Sequence, residues 1–76
     1  LPKGSLNKGN GTRNVYYLNG ELQIKENYIN GLAHGLWITY HDNGRLASEE
    51  TFDNGQPIGK WKYYNRKGKL KSSRNF

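Results

Sequence analysis

The chain repeats itself every 24 residues, and no other feature restricts its fold as strongly. Gly31 aligns with Gly55, Gly35 with Gly59, Trp37 with Trp61 and Tyr40 with Tyr64. The matches continue through Gly44 and Gly68, Leu46 and Leu70, Ser48 and Ser72, and Phe52 and Phe76. A worn copy precedes them in Gly11, Tyr16, Gly20, Leu22, Tyr28 and Asn30. A period of this length marks an array of like units, each covering the open side of its neighbour. It divides the chain into a leader (1–6), a degenerate unit (7–30) and two well-kept units (31–54 and 55–76).

Within a unit the pattern is that of paired strands. Leu36-Trp37-Ile38-Thr39-Tyr40 is β-branched and aromatic, as is usual for strands, and Lys60-Trp61-Lys62-Tyr63-Tyr64 repeats the scheme. Asn-Gly recurs at 19–20, 30–31, 43–44 and 54–55, and both residues tolerate positive φ, so the pairs mark hairpin turns. Gly or Pro interrupts every prospective helix. The expected fold is therefore all-β: an elongated single antiparallel sheet of about three successive β-hairpins, with no helix. Gly35 and Gly59, two residues before each Trp, are expected at positive φ or beneath a ring, and Gly44 and Gly68 in turns.

Register decides which side chains share a face. A four-residue loop at 41–44 pairs Tyr40 with Arg45 and sets Thr39 opposite Leu46 and Trp37 opposite Ser48. One face then carries Trp37, Thr39, Leu46, Ser48 and Phe52, followed by Trp61, Tyr63, Leu70 and Phe76. The other carries Tyr40, Arg45, Ala47 and Glu49, followed by Lys60, Lys62, Tyr64, Lys69 and Lys71. A three-residue loop would instead group Tyr40 with Leu46, and a one-residue slip swaps the faces. The four-residue reading is preferred because it buries both Trp with the Leu and Phe positions.

Seventy-six residues make one domain at most, and only 33% are hydrophobic, so burial rests on the 13% that are aromatic. There is no cysteine, which excludes disulfides and thiolate metal sites. No apolar run approaches the roughly 18 residues that span a bilayer as a helix. Leu1 is not an initiator, so the chain is expected to be a processed form or an excised piece, and its compartment stays open. Charge is unevenly spread. Residues 1–54 hold five bases and six acids, a net of −1; residues 55–76 hold seven bases and no acid, completing the overall +6.

The series Asn30-Gly31-x-x-x-Gly35-x-Trp37-x-x-Tyr40-x-x-x-Gly44-x-Leu46, with Phe52 beyond it, resembles the MORN repeat. Its nearest likeness is to the second, bacterial variety found in proteins labelled YwqK-family antitoxins. Residues 54–70 fit equally well and 7–30 weakly, with Asn7 in place of the first Gly and Arg13 in place of the Trp. The resemblance implies a ribbon of hairpins serving as a scaffold for proteins and, in some cases, acidic lipids. Such arrays were first noticed beside kinases of phosphatidylinositol phosphates, so a phosphatidylinositol-4-phosphate 5-kinase label would be unsurprising. Kinase activity does not follow, because the glycines lie in turns and 76 residues cannot house that fold.

Two candidate surfaces emerge. Lys60, Lys62, Lys69 and Lys71 with Tyr64, flanked by Arg66, Lys67 and Arg74, form a basic patch suited to an acidic protein, an acidic membrane lipid or, less well, nucleic acid. The plain alternative is a solvated face whose lysines guard an edge strand. Tyr16, Tyr40 and Tyr64 recur as a ladder on that face, with Tyr17 beside it, either as interface anchors or as sheet packing. Catalysis, metal and cofactor sites are not expected: His34 and His41 lack a third ligand, Asp42 and Asp53 are turn acids, and Glu49 and Glu50 point to opposite faces. A protein partner is the leading expectation. The terminal strand, ending at Phe76, is expected to pair with a second copy or to continue into further repeats.

Overall fold

A computed structural model describes the backbone of residues 3–7 and 9–76, and the side chains from residue 9 onward. The described residues form eight strands and no helix: β1 (Lys3–Asn7), β2 (Asn10–Tyr16), β3 (Leu22–Ile29), β4 (Leu32–Ala33), β5 (Gly35–Tyr40), β6 (Leu46–Asp53), β7 (Gln56–Tyr64) and β8 (Leu70–Asn75). They build one antiparallel sheet in the order β1-β2-β3-β5-β6-β7-β8, with β4 also paired to β3. Neighbours in sequence are therefore neighbours in space, as a hairpin array requires. Most of the stretch read as a leader lies in β1, which pairs with β2.

Asn-Gly makes two different turns. At Asn30-Gly31 and Asn54-Gly55 both residues have positive φ (52° and 77°; 48° and 84°), closing two-residue hairpins of the kind that matches strand twist. At the other end of the sheet the loops hold three residues. His41 N–H donates to Arg45 C=O (2.8 Å), Gly44 N–H donates to His41 C=O (3.0 Å), and Gly44 takes φ 86°. Tyr17–Glu21 and Asn65–Lys69 close in the same way. This is a turn ended by a left-handed glycine, which a residue bearing Cβ enters only at a cost.

The three-residue loop corrects the register. Tyr40 faces Leu46, Thr39 faces Ser48 and Trp37 faces Glu50, with Ala47 bulged out between the first two pairs. Gln23 and Lys71 are the extra residues at the matching places in the other units. Side chains alternate along a strand, so Leu46 and Leu70 leave the expected tryptophan face and join Tyr40 and Tyr64 on the other. Leu22 pairs with Tyr16 in the same way.

On the tryptophan face five rings run continuously across the strands. Tyr28–Trp37, Trp37–Phe52, Phe52–Trp61 and Trp61–Phe76 have centroid separations of 5.3, 5.1, 5.0 and 4.6 Å, all tilted or edge-on. Each such pair contributes about 0.5–1.5 kcal/mol beyond the area it covers. This ladder substitutes for a core. The molecule measures 37 × 32 × 9 Å, and among the described residues no hydrophobic side chain is buried; the buried residue is Ser48, 6% exposed, its Oγ hydrogen-bonded to Thr39 Oγ1.

Candidate interaction face

The face opposite the ring ladder is set by β5, β6 and β7. Cross-strand pairs Ile38–Glu49 and Glu49–Lys62 put these side chains on one surface, and alternation adds Leu36, Tyr40, Lys60 and Tyr64. Lys60, Lys62, Tyr64 and Tyr40 thus come together. Lys69 and Lys71 do not join them in register: Lys69 lies opposite Asn65 at the mouth of the last turn, and Lys71 is the bulged residue. Where two of the four lysines were expected, the face carries Leu70.

That face is both apolar and charged. Leu36, Ile58 and Leu70 are 41%, 41% and 56% exposed, with half-buried Tyr40 and Tyr64 between the strand ends. Glu49 accepts a hydrogen bond from Tyr64 Oη (3.0 Å) and sits directly across from Lys62. The phenol of Tyr64 is raised above its ordinary pKa, chiefly because Glu49 accepts its proton and would repel a phenolate. Across the sheet, Tyr63 Oη donates to Glu50 (3.2 Å) and Tyr28 Oη to Glu26 (2.9 Å). Both phenols are raised as well, first by loss of solvent and then by the neighbouring carboxylate.

The basic unit is partly neutralised. Arg66 pairs with Asp42 (2.6 Å), Arg74 lies 4.8 Å over the Phe76 ring, and Lys62 has Glu49 opposite. Lys60, Lys67, Lys69 and Lys71 stand exposed around this frame.

Some ties between units are invisible in the repeat itself. Asn19 Nδ2 donates to Asp42 C=O (2.9 Å) and Asn43 Nδ2 to Arg66 C=O (3.0 Å), so each turn grips the next. Two positions before each Asn, Tyr17 Oη donates to Tyr40 C=O (2.7 Å) and His41 Nε2 donates to Tyr64 C=O (2.9 Å). The indole N–H of Trp37 donates to Asn27 C=O (2.9 Å), which also accepts from His34 N–H (3.0 Å), and that of Trp61 donates to Thr51 C=O (3.1 Å). The available signal was the recurrence of Asn at 19 and 43. A turn motif gives Asn a role within one turn and none between turns, so the recurrence alone does not reveal the tie.

The remaining titratable groups are dispersed. His34 Nδ1 lies 3.5 Å from Asp53, at the end of the sheet away from His41. The four glycines singled out by the repeat, Gly35, Gly44, Gly59 and Gly68, all have positive φ (86°, 86°, 70° and 88°). A shallow hollow open to solvent, lined by Asn10, Thr12, Asn27, Tyr28 and His34 among others, belongs to the first two units and is distant in sequence from the lysines.

A family described as a MORN repeat variant matches the chain three times, over residues 10–30, 33–54 and 57–76. No curated protein and no solved structure matches the chain.

Proposed function

Because this chain belongs to the MORN repeat variant family, whose repeats are associated with protein and membrane interaction, we propose that it is a non-catalytic module that binds another protein. The proposed contact surface is the face bearing Tyr40, Tyr64, Lys60 and Lys62. The observation behind this reading is the mixture on that face: Leu36, Ile58 and Leu70 stand exposed beside tyrosines and lysines on a flat sheet. Interface centres are rich in large apolar and aromatic side chains and have a charged rim. An antitoxin role would be one case of such binding.

The runner-up is an acidic phospholipid headgroup, favoured by the seven bases and no acid of residues 55–76. One experiment separates the two. The chain and its Lys60→Glu/Lys62→Glu variant are tested for co-sedimentation with vesicles, with and without anionic lipid, and for affinity capture of partners. The protein reading expects capture of a discrete partner that the variant loses and no lipid-dependent sedimentation. Sedimentation that requires anionic lipid and vanishes in the variant would shift the assignment to lipid.

A further inference from the structure

We infer that Asn54-Gly55 is a self-modification site, at which the folded chain converts its own asparagine to aspartate and isoaspartate through a cyclic imide. The inference goes beyond the interaction-module reading and does not depend on it.

The chemistry needs an asparagine amide free to turn, a following nitrogen uncrowded by a side chain, and water. Glycine supplies the second, and asparagine is among the thermolabile residues. Asn-Gly occurs five times, at 10–11, 19–20, 30–31, 43–44 and 54–55, so the fold decides which pair reacts. The turn glycines do not separate the sites: Gly20, Gly31, Gly44 and Gly55 all donate their N–H to a carbonyl, at 2.7 to 3.0 Å. The asparagine side chains do.

Three of the five are held. Asn43 Oδ1 accepts from Arg45 N–H (3.0 Å) while its Nδ2 donates to Arg66 C=O (3.0 Å). Asn19 Oδ1 accepts from Glu21 N–H (2.9 Å) while its Nδ2 donates to Asp42 C=O (2.9 Å). An amide fixed at both ends cannot swing its Cγ onto the next nitrogen, and the nitrogen it must expel is committed to another turn. Asn10, at the start of β2, has its Oδ1 engaged by Asn30 N–H (2.7 Å).

Asn30 and Asn54 differ. Both sit in the two-residue turns at φ 52° and 48°, both are exposed, and neither side chain has a hydrogen-bond partner among the described residues. Their own backbones separate these two. Asn30 N–H is held by Asn10 Oδ1 at 2.7 Å. One repeat later the residue in the place of Asn10 is His34, and Asn54 N–H reaches its Nδ1 at 3.4 Å, a long bond. That same nitrogen lies 3.5 Å from Asp53. The turn at 54–55 is therefore the looser one, and Asn54 reacts first.

In the reaction, solvent base takes the proton of Gly55 N–H and the nitrogen bonds to Asn54 Cγ. The Cγ–Nδ2 bond breaks, and Nδ2 leaves as ammonia after taking a proton from water. Water then opens the ring. Cleavage at Cγ restores the main chain with an aspartate; cleavage at the main-chain carbonyl carbon of Asn54 leaves isoaspartate, with the backbone running through Cγ. The imide nitrogen bears no hydrogen, so the bond from Gly55 N–H to Ala33 C=O (2.7 Å), which ties the third unit to the second, is lost while the ring lasts. Closure thus waits on local opening at this joint, and the product adds a negative charge next to Asp53.

The test incubates the folded 76-residue chain in mildly alkaline buffer made with heavy-oxygen water. Samples are digested at acid pH, and the label is located by mass spectrometry. Expected is conversion at Asn54 first and Asn30 second, with Asn54 roughly tenfold or more ahead of Asn19 and Asn43. In concentrated urea the four turn sites should convert alike. His34→Asn, which restores the tie seen at Asn30, should slow Asn54 to the pace of Asn30. The inference is overturned if Asn19 or Asn43 keeps pace with Asn54 in the folded chain, if Asn30 leads, or if His34→Asn leaves Asn54 unchanged. It also fails if the folded chain stays unlabelled at Asn54 over a period in which the denatured chain converts fully.

Discussion

Glu49 accepts a hydrogen bond from Tyr64 and is the main cause of its raised pKa; Tyr63 and Tyr28 are raised first by loss of solvent, with Glu50 and Glu26 adding to it in the same way. A proton held more tightly in the folded sheet stabilises the fold. That contribution is complete below the unfolded value near pH 10 and is lost as pH rises through the folded value. A titration followed at 295 nm should therefore show these three phenols ionising above the ordinary tyrosine range, with stability falling as they do. Glu49→Gln keeps the acceptor but removes the charge, so Tyr64 should ionise at lower pH; an unchanged titration would refute the assigned cause. The turns offer a second residue-scale test. Gly44 at φ 86° should lose about 1–2 kcal/mol on Gly44→Ala, since a side chain in the left-handed region is strained. The added Cβ meets only the Glu21 carboxylate, Oε2 at 3.0 Å and Cδ at 3.7 Å, the far end of a flexible side chain, so strain and not collision should dominate. Thermal melts would show a drop of that size or contradict it.

Strands and hairpins follow from pattern alone, because β-branched and aromatic runs between Asn-Gly pairs admit no competing period. The faces were legible only in part. The preferred four-residue loop sets Trp37 opposite Ser48, whereas Glu50 stands there. The error is two places: one from the three-residue loop and one from the bulge at Ala47. A shift of two preserves alternation, which is why Ser48 and Phe52 remain with Trp37, while Leu46, lying between loop and bulge, crosses over. Bulges leave no side-chain signature, so Leu46, Leu70, Lys69 and Lys71 were the residues that local reasoning could not place. The ring ladder makes its own prediction at this scale. Phe52 lies between two tryptophans, so Phe52→Ala should cost about 3 kcal/mol, the lower end for a packed phenylalanine. Phe76, 46% exposed with one tryptophan neighbour, should cost about 1 kcal/mol. Equal losses in urea unfolding would mean that the rings do not act as a chain.

A single layer 9 Å thick cannot distribute its stability evenly. Its exposed surface, 5235 Å², exceeds the roughly 4,700 Å² that size scaling gives a compact protein of 8.7 kDa, as expected when both faces of the sheet meet solvent. Each unit is held by its neighbours alone, so β6, covered on both sides, is anchored by two interfaces and β8 by one. The end unit also gathers all seven of its charges with one sign. Their mutual repulsion falls as the screening length shortens from about 30 Å at 0.01 M salt to about 10 Å at 0.1 M. Hydrogen exchange should accordingly be slowest in β5 and β6 and fastest in β8, and added salt should slow exchange in β7 and β8 while leaving β5 nearly unchanged. Opening of the whole sheet as one unit, with identical protection in β6 and β8 at every ionic strength, would show that the layer behaves as a single cooperative body. The graded picture would then have to be given up.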